Sequence, residues 1–149
     1  MATTVTPTNL TVTISEGYDL NGVAYGNSRT KTFTDKGKVI QRVMNIATTF
    51  TDIFWTSTVD GLGQVVAADW VYFRITNLDD ANYMRLRLLN DDNDSVFLKL
   101  SAGQSFFLMN ADTGIDEDGT TFNSLSNITK IAASAPNAAC DVEVVMVTA

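Results

Sequence analysis

Residues 70–110 read WVYFRITNLDDANYMRLRLLNDDNDSVFLKLSAGQSFFLMN, four apolar runs separated by three breaks. Within each run the side chains alternate. Val71, Phe73 and Ile75 share one face, with Tyr72, Arg74 and Thr76 on the other. Met84, Leu86 and Leu88 oppose Tyr83, Arg85, Arg87 and Leu89, and Val96, Leu98 and Leu100 oppose Phe97 and Lys99. A period of two over runs this short describes half-buried strands, since a helix repeats its apolar face every three to four residues. The breaks at 77–82, 90–94 and 101–104 are rich in Asn, Asp, Ser and Gly, which favour tight turns. The expectation is an antiparallel meander with one apolar and one wet face.

Working outward, Asn9–Ile14 alternates in the same way, with Leu10, Val12 and Ile14 inward and Thr11 and Thr13 outward. Asn21-Gly22 is the strongest short hairpin signal, because both residues adopt positive φ at little strain; it pairs Tyr18–Leu20 with Val23–Tyr25. Arg29–Thr34 is a charged, β-prone segment suited to a sheet edge. Over Val39–Ala47 the set Ile40, Arg42, Met44 and Ile46 is the expected core face, with Arg42 the misfit. Ile53, Phe54 and Trp55 carry enough apolar bulk to fill the space between two sheets. Val65–Asp69 reads as a short helical turn. Residues 111–121 form the longest polar break, with Phe122 and Leu125 at its far end, and Asn127–Ala133 and Asp141–Val147 close the sheets. About nine to ten strands, spaced by roughly 8 to 14 residues, give the rhythm of an antiparallel β-sandwich or jelly roll. The expected organisation is a flexible arm over residues 1–8 and one all-β domain over 9–149.

Composition bounds the partners. At 149 residues the chain can bury a self-sufficient core. Its net charge of −7 and pI near 4.3 argue against nucleic acid, which requires clustered positive charge to displace counterions. Nine of the seventeen carboxylates fall between Asp79 and Asp118, mostly in turns, where they solvate the surface and protect edges. A single cysteine, Cys140, excludes an intrachain disulfide and is expected as a small buried hydrophobe. No segment approaches about 18 to 20 apolar residues, so no membrane span is expected. The first residues lack the basic and apolar regions of a signal peptide.

The chain contains no histidine. That removes the Ser-His-Asp and Cys-His machines and the commonest metal ligand. No zinc-type cysteine cluster and no phosphate-binding glycine loop is present. The carboxylates sit in turns rather than on apolar faces that would raise a pKa, so no enzyme, cofactor or small-molecule substrate is expected. The loops at Asp91–Asp94 and Asp112–Gly119 have oxygen ligands of the right hardness for calcium. The second loop nevertheless fails the EF-hand pattern, with Gly114 at the first ligand position and Leu125 at the bidentate one. No metal is expected there, and solvated turns are the reading.

The candidate binding residues lie on the wet face of the central stretch. If its strands are neighbours, Arg74, Arg85, Arg87 and Lys99 align as a cationic stripe on an acidic protein, interleaved with Tyr72, Tyr83 and Phe97. Arginine with aromatics is the composition of interface hot spots. Neutralisation by the adjacent Asp turns is the competing structural reading. Apolar residues on both faces of the last strand, with Val145 and Val147 outward, together with Phe107 and Met109, point to a homo-oligomer or a covering partner.

The run Tyr72–Asp79 (YFRITNLD), the Met84–Leu88 strand (MRLRL) and Val96–Phe106 (VFLKLSAGQSF), with the opening Leu10–Ile14 (LTVTI) and Leu20-Asn21-Gly22, resemble small virion structural proteins of tailed, marine-type bacteriophages. About two thirds of the chain takes part in the resemblance, and its motifs concern the fold rather than catalysis. The resemblance implies a non-enzymatic capsid decoration (cement) protein on the virion surface, made in the host cytoplasm. It would bind the major capsid protein and itself, as a trimer. The alternatives are a tail, fibre or collar component, and a carbohydrate-binding sandwich using Trp55, Trp70 or loop tyrosines with calcium in the Asp loops.

Overall fold

β-branched and aromatic residues at every second position, broken by Asn, Asp and Gly, specify extended chain, and the computed structural model is all-β. It describes residues 7–57, 64–66, 69–90, 94–109 and 128–149. Eleven strands occur among them: β1 (Thr8–Leu20), β2 (Val23–Lys36), β3 (Lys38–Ile46), β4 (Thr51–Ser57), β5 (Gln64–Val66), β6 (Trp70–Asn77), β7 (Met84–Asn90), β8 (Ser95–Leu100), β9 (Ser105–Leu108), β10 (Ile128–Ser134) and β11 (Cys140–Thr148). No helix among the described residues is long and apolar enough to cross a membrane. The sequence draws one domain over 9–149; the chain divides into two compact units, Met1–Lys38 and Val39–Ala149. Thr8, placed at the end of the expected arm, opens β1, and residues 1–6 lie outside the described part.

The first unit is an antiparallel ribbon of β1 and β2. Its turn is the expected one: Asn21 and Gly22 have φ of 54° and 79°, and the Asp19 carboxylate accepts the Gly22 N–H at 2.9 Å. Tyr18 pairs with Tyr25 and Leu20 with Val23. The sequence treats the flanking segments as separate strands, yet they continue the same ladder. Opposed residues share a face, so Leu10, Val12, Ile14, Glu16, Tyr18 and Leu20 lie with Phe33, Lys31, Arg29, Asn27, Tyr25 and Val23. The other face is Thr, Ser, Gly and Ala with Asp19 near the turn, and has Thr11–Thr32 and Thr13–Thr30 hydroxyl contacts at 3.5 and 3.1 Å. Asp35, at a positive φ of 56°, takes up the register shift between Thr8 and Leu10 as a bulge.

The second unit is a β-sandwich. One sheet has the order β5-β4-β10-β7-β8 and the other β3-β11-β6-β9. This overturns the expected meander. β7 and β8 form a hairpin, with Leu86 opposite Leu98, but β6 pairs with β11 and β9 in the opposing sheet. Period two assigns faces, and it carries no information on which strands are neighbours. The break at residues 77–82 is therefore a crossing between sheets. Asn77, fully buried, secures it: its amide nitrogen donates to the carbonyls of Asn82, Leu100 and Ser101 at 2.9, 3.3 and 3.2 Å. Its side-chain oxygen accepts the Asp79 N–H at 3.1 Å. Val65 and Val66, read as helical, form β5, a three-residue parallel neighbour of β4; β-branched side chains favour the extended state.

The core draws on both sheets: Ile46, Phe73, Ile75, Val142, Val144 and Met146 from one, and Ile53, Phe54, Met84, Leu86, Leu88 and Ile131 from the other. Adjacent Ile53 and Phe54 are both fully buried because the β4–β10 register slips between Ile131 and Ala132. Trp70 rather than Val71 joins the core, since the β6–β11 register slips between Val147 and Thr148. Trp70, Phe54 and Phe73 form an aromatic cluster with centroids 5.1 to 6.5 Å apart. On β3 the expected face Ile40, Arg42, Met44 and Ile46 does turn inward; Arg42 donates to the Ile53 carbonyl at the slipped position. Cys140 is buried as expected, and burial, with Asp79 nearby, pushes its thiol pKa up. Val147, expected outward and exposed, is fully buried opposite Tyr72.

Candidate functional site

Splitting the central stretch between two sheets divides the expected cationic stripe. Arg74 and Tyr72 stand on β6, whereas Arg85, Arg87, Lys99, Phe97 and Tyr83 stay together around β7 and β8.

Arg74 belongs to a closed network on the outer face of the β3-β11-β6-β9 sheet. It donates to Thr76 Oγ1 and Glu143 Oε2, both at 2.6 Å, and Gln41 Nε2 donates to Glu143 Oε1 at 2.9 Å. The Gln41 amide and the Arg74 guanidinium hold the Glu143 carboxyl below its ordinary range. Tyr72 is buried; desolvation raises its phenol pKa, and the charge of Arg74 partly offsets the rise. The charge of Arg74 is met by Glu143, and Tyr72 is buried beside it. The competing reading of neutralisation holds here, with a neighbouring strand rather than a turn supplying the acid.

The other five residues do converge, on the outer face of the β4-β10-β7-β8 part of the second sheet. Register puts Arg85 directly opposite Lys99, and Arg87 opposite Phe97. On the β10 side, Arg85 faces Ser134 and Arg87 faces Ala132. At the centre lies Phe50, the residue before β4. The Arg87 guanidinium sits 4.6 Å and that of Arg85 5.4 Å from the Phe50 ring centroid, with the Phe97 ring at 6.1 Å. Lys99 Nζ lies 4.5 Å over the Tyr83 ring, and Arg85 Nε donates to Ser134 Oγ at 3.2 Å. Phe97 remains 57% exposed. The rings orient the cations through their π faces while the guanidinium edges keep donors in hand.

No carboxylate among the described residues lies within ion-pairing distance of Arg85, Arg87 or Lys99, whereas Arg74 and Lys130 are paired with Glu143 and Asp52. Like charges directly opposite across a ladder are destabilising. The Arg85–Lys99 pair is therefore a like-charge juxtaposition that no described carboxylate offsets, on a protein whose net charge is −7. Chemically, the patch can receive carboxylates or another acidic surface, with Phe97 and Phe50 supplying apolar contact.

Phe50 is the member that sequence reasoning misses. It precedes the strand and has no place in its alternation, so no periodic signal marks it. Of the tryptophans considered for sugar stacking, Trp70 is fully buried in the core and Trp55 half-buried. Among the described residues no group of three or more acidic or cysteine side chains is arranged to hold a metal. The loop residues at 91–93 and 110–127, where calcium was weighed, lie outside the described part. Comparisons with protein-family models, curated proteins and solved structures returned no match.

Proposed function

We propose that the chain is a non-enzymatic structural protein of a tailed-bacteriophage virion, and specifically a decoration protein that binds the outer surface of an icosahedral shell as a homotrimer. The observation that carries this reading is the basic and aromatic patch of Arg85, Arg87, Lys99, Phe50 and Phe97, which pairs with no carboxylate among the described residues, on an otherwise acidic sandwich. An acidic strip on the major capsid protein is the partner that fits it. A protein that binds only the assembled shell stabilises that shell by mass action. Nucleic acid, membrane and small-molecule substrates have no part in this reading.

Strand order adds support. With β5 left aside and the strands from β3 onward counted one to eight, the sheets run 1-8-3-6 and 2-7-4-5. This order supports reading the sandwich as a jelly roll, an architecture that recurs in viral capsid and lectin domains. Architecture alone does not assign function, and the glycan-binding alternative loses its Trp70 platform to the core. The test is occupancy on particles. Arg85→Glu with Arg87→Glu is expected to reduce binding to purified shells at least tenfold, and more steeply at low salt. Unchanged occupancy removes the patch from the account. Occupancy fixed by portal or tail symmetry instead assigns the protein to a tail, fibre or collar.

A further inference from the structure

The β1–β2 ribbon carries an apolar face with no described use. Near the turn that face leaves Tyr18, Leu20, Val23 and Tyr25 between 47% and 60% exposed, with the two tyrosine rings stacked 5.3 Å apart at 11°. Strands of 13 and 14 residues extend this face over about 40 Å. Glu16 opposite Asn27 divides the face into an exposed apolar patch at the turn and a more buried one at Leu10, Val12, Ile14 and Phe33. A two-stranded ribbon in water is at best marginally stable by itself, and an exposed apolar patch of this kind marks an interaction site.

Charge indicates the occupant. Met1–Lys38 holds four of the ten basic residues and three of the seventeen acids, a net of +1, which leaves −8 for Val39–Ala149. Arg29 and Lys31 stand on the apolar face of the ribbon, opposite Ile14 and Val12. The second unit has a surface of matching character on the outer face of its β3-β11-β6-β9 sheet. On the edge strand β3, Val39 and Val43 are 59% and 65% exposed. Beside them, Glu143 and Asp141 accept from Gln41 and Asn45 of the same strand at 2.9 Å. Glu143 is already paired with Arg74, so Asp141 is the acid that these apolar edge residues set beside the cations of the ribbon.

We propose that the ribbon is an oligomerisation arm: in the assembled protein, the apolar face of one copy's ribbon lies on the Val39–Val43 surface of a second copy's sandwich. Arg29 and Lys31 face the Asp141 side of that surface. The contact joins two different surfaces, so it is head-to-tail and closes as a ring when the rotation permits. It deepens the homotrimer part of the proposed function and is independent of any shell.

Sedimentation velocity on the full chain tests it. The arm variant is Leu20→Glu with Val23→Glu, and the surface variant is Val43→Glu; all three positions are more than half exposed, so the fold is expected to persist, as tryptophan fluorescence on heating will verify. Wild type is expected to sediment as a concentration-dependent oligomer, trimer at saturation, and each variant as a monomer. An equimolar mixture of the two variants is expected to give a dimer, because one intact arm then meets one intact surface. A wild-type chain that is monomeric at all concentrations overturns the proposal. An oligomer surviving both substitutions, or a mixture that stays monomeric, overturns it as well. The experiment contains no capsid, so its failure leaves the Arg85–Arg87 docking reading to its own test.

Discussion

Replacing Asn77 by leucine tests whether one amide holds the crossing between the two sheets. The side chain is fully buried, and its nitrogen serves three carbonyls while its oxygen serves the Asp79 N–H. Leucine is similar in size, so the cavity term is small and the loss is polar. The hydrogen bond to Leu100 is wholly buried, while those to Asn82 and Ser101 are partly so. A buried acceptor left without a donor costs about 1–3 kcal/mol, and a partly solvated one recovers much of that from water. The expected destabilisation is about 3 kcal/mol, which for a chain of this length lowers the melting temperature by about 9 °C. Urea unfolding followed by tryptophan fluorescence is the assay, since Trp70 reports on the core. The midpoint should fall with an unchanged denaturant slope. A loss below about 1 kcal/mol would show that the crossing is held by backbone pairing alone, and the reasoning from Asn77 would be refuted.

Two further outcomes follow from the same geometry. The Asp79 carboxyl is held below its ordinary pKa by the backbone N–H groups of Asn82 and Ala81. A depressed folded-state pKa contributes stability that is present above the unfolded value near 3.8 and is lost as pH falls through the folded value. Urea midpoints measured from pH 6 downward should therefore drop more steeply for wild type than for Asp79→Asn, and parallel curves would remove Asp79 from the acid response. At the basic patch, a double-mutant cycle of Phe50→Leu and Arg87→Met should give a coupling of about 1 kcal/mol, since the guanidinium lies over the ring at 4.6 Å. Coupling indistinguishable from zero would mean that Phe50 does not orient the arginine.

Much of the secondary structure was legible because its signals are local. Alternation marked the runs that became β6 to β9, and Asn21-Gly22 fixed the ribbon turn and its register. The valine-rich end of the chain gave β11, with Cys140 opening it. What local pattern could not supply was partnership between strands. Asn77–Asn82 has the composition of a hairpin turn, and only a buried amide reaching Leu100 across the sandwich distinguishes it from one. The same limit explains the candidate site. Arg85, Arg87 and Lys99 were correctly grouped because β7 and β8 are a true hairpin. Arg74 and Tyr72 were wrongly joined to them because β6 lies in the other sheet. The slips at Ile53 and Val147 defeat strict alternation for a related reason: a bulge turns two successive side chains toward one face, and nothing in residue type marks its position.

The central claim is a structural role on a virion, and copy number tests it most directly. Quantitative gel densitometry of purified virions whose genome encodes the chain, calibrated against the major capsid protein, gives that number. Hundreds of copies per particle, in a fixed ratio to the capsid protein, is the predicted result. Absence of the chain from purified particles would contradict the account.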